Sequence, residues 1–175
     1  MADIEFTRID RDLVEQAKAV LDLCRGLGLR IVTAESCTGG LVAAVLTEAP
    51  GSSETVEGGF VTYSNAAKHS AIGVPEPLLA AHGAVSEPVA RAMAEGALAH
   101  SLADVAVAIT GIAGPGGGSE AKPVGLVHFA AARRGVATLH VERRFGDLGR
   151  GVIRRRSVEQ ALDLLAEIAR QPLVA

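Results

Sequence analysis

Seven consecutive residues, "DVAVAIT" from Asp104 to Thr110, are apolar with almost no interruption. A strand with one face in water alternates apolar and polar side chains, whereas a continuous run of this length belongs to a strand covered on both faces. A chain containing such a run must place layers above and below a sheet. The segments on either side supply them. Before it, helical and strand-like patterns alternate; after it, "VGLVHFAAA" and "VATLHVERRF" are separated only by "RRG", the spacing of a hairpin and therefore of an antiparallel pair. The expected architecture is a three-layer α/β/α sandwich around a mixed, mostly parallel five-stranded sheet.

The order of elements expected along the chain is α-β-α-β-α-α-β-β-β-α. From Asp10 to Leu27, the residues Leu13, Val14, Ala17, Val20, Leu21 and Cys24 recur at steps of three and four, and Gly26 and Gly28 close that helix. "LRIVTA" is a short buried strand, "GLVAAVLTEAP" a helix broken at Pro50-Gly51, "GGFVTYS" a second strand, and Asn65–Ile72 a short helix. "VSEPVARAMAEGALAHSL" is a helix of small residues with Ser86 at its N-cap and Pro88 in its first turn. "GIAGPGGGSEAKP" is rich enough in Gly and Pro to be a mobile loop. The last helix, "RGVIRRRSVEQALDLLAEIAR", buries Val152, Ile153, Val158, Ala161, Leu162, Leu164, Leu165 and Ile168, with arginines crowded at its start. No repeat or linker divides the 175 residues, so one domain over 1–175 is expected.

Charge and cysteine content narrow the function. A formal charge of −3 offers no general nucleic-acid surface. Two cysteines without a C-x-x-C suggest neither zinc nor a disulfide scaffold, and no metal or other cofactor is expected. The acidic start "MADIEFTRID" is unlike a signal peptide, and no apolar stretch is long enough for a membrane span, so a soluble cytoplasmic protein is expected. The oligomeric state stays open, a homo-oligomer included.

Three turns reach one edge of the expected sheet. In "RIVTAESCTGG" the strand-to-helix turn carries Ser36, Cys37, Thr38, Gly39 and Gly40, where open α/β sheets place ligands and a helix offers N–H groups. Spacing alone leaves open whether Ser36 and Thr38 cap the helix, cradle an anion, or supply a nucleophile. The turn is neither G-x-S-x-G, a Walker loop nor G-x-G-x-x-G. A nucleophilic serine needs a base. None of His69, His82, His100, His128 and His140 lies in a motif, and all are read as structural or surface histidines. Lys68, in the helical turn after the second strand, and Tyr63, at the end of that strand, are the other candidates, against the reading of a solvated lysine and a core-edge tyrosine. The third turn, "TGIAGP" with Thr110 and Gly111, offers backbone N–H groups to an oxyanion or phosphate, or is a plain connector. Arg150 and Arg154, one helical turn apart, are candidate phosphate ligands, while Arg155 and Arg156 are read as solvated.

Together "AESCTGG", "GGFVTYSNAAK", "GAVSEPVARAMAEGA" and "TGIAGPGGG" resemble the C-terminal domain of the competence/damage-inducible CinA family, also known as nicotinamide-nucleotide amidases. The resemblance runs from the first helix to the last and implies an α/β/α sandwich with one strand antiparallel to the rest. It implies a stand-alone deamidase, the family's molybdopterin-binding-like domain having no room here. The implied reaction is hydrolysis of the carboxamide of nicotinamide mononucleotide to nicotinate mononucleotide and ammonia, without metal, in pyridine-nucleotide salvage. By the same resemblance Ser36 matches the nucleophile, Lys68 the base and Tyr63 a neighbouring hydroxyl; Thr110 falls in T-G-I-A-G-P. Arg150 matches the arginine after F-x-G-D-R, from which "FGDLGR" departs. Thr38, Gly39, Gly40 and Gly111 complete the expected substrate-binding set. The alternatives are a nucleotide-binding or regulatory module without turnover, tied to competence or DNA damage, and an amidase of another substrate.

Overall fold

A computed structural model describes residues 9–173 of the chain. The expectation that the N-terminus is no leader concerns mainly positions 1–8, outside the described residues. Among the described residues no helix is long and apolar enough to cross a membrane.

The chain runs α1 (Arg11–Gly26), β1 (Ile31–Glu35), α2 (Leu41–Glu48), a 3₁₀ turn at Ser52–Glu54, β2 (Val56–Val61), α3 (Asn65–Ile72), α4 (Glu76–His82), α5 (Glu87–Ala99), β3 (Val105–Gly111), β4 (Leu126–Arg133), β5 (Val136–Arg144) and α6 (Arg150–Arg170). The strands form one sheet in the order β2-β1-β3-β4-β5. β1 pairs in parallel with β2 and with β3, while β4 is antiparallel to both β3 and β5. Four strands therefore point one way and β4 runs against them, although only half of the pairings are parallel.

The apolar run that demanded two covering layers is β3, and it has them. Val105, Val107 and Ile109 face the core under α1, α2 and α6. Ala106 and Ala108 face the core under α3, α4 and α5. The two faces differ in side-chain size. Under α5 the sheet offers Ala34, Ala106, Ala108, Ala130 and Ala132, and α5 answers with Ala90, Ala94 and Ala97, so helix and sheet approach closely. Gly96 belongs to this close packing: a Cβ there would lie 2.0 Å from the Ile72 carbonyl oxygen at the end of α3. The other face is filled by larger groups, including Phe129, Ile153, Leu162 and Leu165.

Several boundaries move relative to the sequence reading. α4 was not expected, because "PEPLLAAH" is too short for a helical period to declare itself. β2 begins at Val56 and ends at Val61, so Tyr63 lies beyond the strand instead of at its end. Ser86 occupies the N-cap of α5, but its hydroxyl donates to the Gly83 carbonyl and caps nothing. On α6, Val152 is 44% exposed, because it lies off the stripe that Ile153 and Val158 bury. The glycine-rich loop is tethered as well as long. Its neck is closed by Gly125 N–H donating to the Ile112 carbonyl at 2.8 Å, and Lys122 Nζ donates to the His82 carbonyl at 2.7 Å.

Candidate active site

The C-terminal ends of β1, β2 and β3 meet because the strands are parallel neighbours. Ser36 N–H donates to the Ile109 carbonyl at 3.0 Å and Thr62 N–H to the Glu35 carbonyl at 2.8 Å, which carries the ladder one residue past each strand end. The turn that follows β1 and the start of α3 after β2 are thereby held side by side.

Neither serine nor threonine caps α2. The N-cap position is Gly40, with φ of 97°, a conformation that glycine adopts without strain. The cap comes instead from the last residue of β1. The Glu35 carboxylate is fully buried and accepts N–H groups from Gly40 at 3.0 Å, Val42 at 3.1 Å and Ala43 at 2.9 Å. A buried carboxylate is tolerated where several N–H groups and the positive end of a helix receive it. Gly39 N–H is also engaged, by the Ser36 carbonyl. The expected open anion cradle at this helix start is therefore filled by the protein's own anion, and Gly39 and Gly40 have no N–H to offer a ligand.

With capping done by Glu35, the Ser36 hydroxyl is left for another partner. Lys68 Nζ lies 3.0 Å from Ser36 Oγ, 2.9 Å from the Thr62 carbonyl oxygen and 3.4 Å from that of Tyr63. Lys68 is 1% exposed, and burial pushes its amine below the ordinary lysine range. A neutral amine in this position donates to the two carbonyls and turns its lone pair to the serine O–H. The ammonium donates to all three. One geometry thus serves both protonation states, which a proton acceptor and donor requires.

The surroundings of Cys37, the neighbouring thiol, disfavour it as a nucleophile. It is 6% exposed in the core under α2 and α6, and burial pushes it up to about 12. A thiol in that state does not supply a thiolate near neutral pH.

Ser36, Cys37, Tyr63, Lys68, Thr110, Gly111 and Arg150 line one open cavity of about 260 Å³, with Ala84, Val85 and the loop from Ile112 to Gly117 as its other walls. Its basic lining residues are Lys68 and Arg150, with no carboxylate among the lining residues. Arg150, the first residue of α6, donates to the Gly114 carbonyl at 3.0 Å and to the Tyr63 hydroxyl at 3.3 Å. The Tyr63 hydroxyl thus meets Arg150, and only the Tyr63 backbone carbonyl meets Lys68. The Thr110 hydroxyl is spent on the Ala84 carbonyl at 2.8 Å, tying the end of β3 to the wall before α5. A second cavity, of about 350 Å³ between α1, α2 and α6, is mostly apolar. The two ionised groups at its border, Asp10 and Arg155, pair with each other.

Of the expected site residues, Ser36, Lys68, Tyr63, Thr110, Gly111 and Arg150 come together in one cavity. Thr38, Gly39 and Gly40 lie outside its lining. Thr38 is fully buried, and its carbonyl accepts from Arg154 Nη2 at 2.9 Å. Arg154 therefore supports the turn from α6. Arg155 is not merely solvated: it joins Asp10, Asp12 and Glu159 in an ion-pair cluster. His128 and His140 hydrogen-bond to each other at 3.0 Å on β4 and β5, outside the cavity lining. Glu35 was missed. Its signal was present in "AESCTGG", an acidic residue ending an apolar strand ahead of a helix whose N-cap has no side chain.

The family model described as the CinA C-terminal domain matches residues 14–169. The nicotinamide-nucleotide amidohydrolase PncC of Escherichia coli K12 is 52% identical over 157 residues, covering 89% of this chain and 94% of that protein. A CinA-like protein of Mycolicibacterium paratuberculosis is 52% identical over 164 residues, covering 88% of this chain but 37% of its own length. The chain thus spans well under half of several longer relatives, 28% and 30% in two further cases. The crystal structure of the competence/damage inducible protein CihA from Agrobacterium tumefaciens superposes with a TM-score of 0.90 at 50% identity, covering 94% of this chain and 99% of that one.

Proposed function

This chain belongs to the family of the CinA C-terminal domain, and on that premise we propose that it hydrolyses the carboxamide of nicotinamide mononucleotide to nicotinate mononucleotide and ammonia, with Ser36 as nucleophile and Lys68 as base. The observation that carries this reading is the buried amine of Lys68, 3.0 Å from Ser36 Oγ in a cavity that Arg150 also lines. The naming of the E. coli relative, which aligns over 94% of its length, supports the substrate. The same naming points to pyridine-nucleotide salvage as the setting.

An amide is a weak electrophile, so the reaction is divided into two additions. Neutral Lys68 takes the Ser36 proton as Oγ bonds to the carboxamide carbon. The resulting oxyanion requires hydrogen-bond donors from the cavity wall, of which the turn after Ser36 and the loop after Thr110 form part. The C–N bond then breaks, the Lys68 ammonium protonates the leaving nitrogen, and ammonia departs from an acyl ester on Ser36. Water attacks that ester, Lys68 again accepts a proton, and the carboxylate product is released with Ser36 restored. Arg150 faces the anionic end of the substrate, with its guanidinium held by Gly114 and Tyr63. In this role Tyr63 orients the arginine. A phosphate contact maintained throughout provides remote binding energy that positions the amide.

The test is ammonia release from nicotinamide mononucleotide, nicotinamide riboside and nicotinamide side by side. Turnover with preference for the mononucleotide is expected. Tight binding of the mononucleotide with no ammonia would make the domain a nucleotide-binding module, and preference for another amide would move the substrate.

A further inference from the structure

We infer that Glu35 and Arg154 are positioning residues that clamp the Ser36 turn from its two polarities, Glu35 by its N–H groups and Arg154 by a carbonyl, and so fix Ser36 Oγ against Lys68. The inference rests on the reading of Ser36 as the nucleophile. Neither side chain lines the cavity, so neither is placed to touch substrate.

The turn Ser36–Gly40 contains two glycines in the left-handed region, Gly39 at φ 60° and Gly40 at φ 97°. Such a segment has more backbone freedom than any other composition, and a nucleophile on it needs external restraint. An N-cap supplied by Ser36 would have consumed the hydroxyl that chemistry needs. Glu35 solves both problems from outside the turn. As the last residue of β1 it is anchored by the sheet, and its two oxygens gather three N–H groups on the far side of the turn. The start of α2 is thus tied directly to the strand that precedes it. Arg154 closes the clamp from α6, the neighbouring helix in the layer of α2. Its Nη2 holds the Thr38 carbonyl, and the same atom lies 3.4 Å from where a Cβ on Gly39 would stand, so the turn rests against the guanidinium. Restraint at both ends leaves Ser36 Oγ one reproducible place, and displacement of a reacting atom by about 1 Å is enough to lower a rate on the order of 100-fold.

The experiment measures Glu35→Gln and Arg154→Met in the full chain. Gln keeps the shape but replaces one acceptor oxygen with an NH2 that meets N–H donors; Met keeps the stem and loses the bond to Thr38. For both, kcat for ammonia release should fall about 10- to 100-fold while KM stays within about twofold of wild type. The pH midpoint of kcat should not move, because Lys68 keeps its surroundings. Amide hydrogen exchange of Gly40, Val42 and Ala43 should accelerate in Glu35→Gln. Wild-type kcat in both variants overturns the inference. So does unchanged amide protection in Glu35→Gln, or a shifted pH midpoint, which would make Glu35 a charge partner of Lys68. Loss of preference for the mononucleotide over the riboside in Arg154→Met would make Arg154 a phosphate ligand and also overturn it. If Glu35→Gln does not fold, Arg154→Met decides. If the wild type releases no ammonia, the amidase reading fails separately, and the amide exchange rates still decide the clamp.

Discussion

The N-termini of α2 and α6 both bear on the Ser36 turn, and they meet the same helix dipole in opposite ways. At α2 the positive end is answered from inside the protein by the buried Glu35 carboxylate. At α6 the N-cap is Gly149, without a side-chain cap, the first turn has no acidic residue, and Arg150 adds positive charge where the dipole already disfavours it. The first end is satisfied. The second is an unanswered concentration of positive charge at the mouth of a cavity, which is the condition for receiving an anion. One sheet edge thus combines a closed end that holds the proposed nucleophile with an open end that suits the proposed phosphate.

The largest effect is expected on the closed side. Ser36→Ala should lose on the order of 10⁴ or more in kcat for ammonia release with unchanged thermal unfolding, since only the attacking oxygen is removed. Substantial activity in this variant would break the assignment of chemistry to that side.

Lys68→Met, which keeps the buried stem, should lower kcat about 10²- to 10⁴-fold. The wild type should show a rising limb of kcat with pH, because the ammonium cannot accept the serine proton and the neutral amine can. Burial holds Lys68 below the ordinary lysine range, so the limb should reach its midpoint below that range. A midpoint at or above the ordinary range would count against Lys68 as the base.

On the open side, Arg150→Ala should shrink the ratio of kcat/KM for mononucleotide over riboside. A charge-assisted contact worth about 1.5–3 kcal/mol corresponds to about 10- to 150-fold. An unchanged ratio would mean that the uncapped start of α6 does not read the phosphate, and the comparison of the two helix ends would lose its functional half.

The smallest effect concerns Cys37. Cys37→Ala should keep kcat within about twofold, and thiol alkylation of the wild type should leave activity intact, because the buried thiol is pushed up to about 12. Inactivation by alkylation that Cys37→Ala abolishes would make the thiol, and not the hydroxyl, the reactive group of the turn.

Much of the architecture could be read from periodicity. The unbroken apolar run of β3 required two covering layers, the short "RRG" separation required an antiparallel pair, and α6 spans the residues its pattern marked, Arg150–Arg170. These features are local, so short-range patterns carry them. α4 and the early start of β2 escaped because seven residues hold too few turns for a helical period, and because Val56-Glu57-Gly58-Gly59 has little strand character of its own. β2 is a strand because β1 pairs with it.

Which residues were available for chemistry could be read along the chain: a serine in a strand-to-helix turn, a lysine after the next strand, a glycine loop after the third, and an arginine at the last helix start. Their arrangement in space follows from the packing of the whole chain, because each contact joins groups far apart in sequence. Lys68 and Ser36 are 32 residues apart and Arg154 and Thr38 116 apart, and no local pattern encodes a contact at such separations. Whether Ser36 caps its helix or is free depended on where the Glu35 carboxylate points, and whether Cys37 is reactive depended on what α2 and α6 bury it under. Burial and hydrogen-bond competition are properties of the packed chain, and they turned a set of eligible residues into one arranged site.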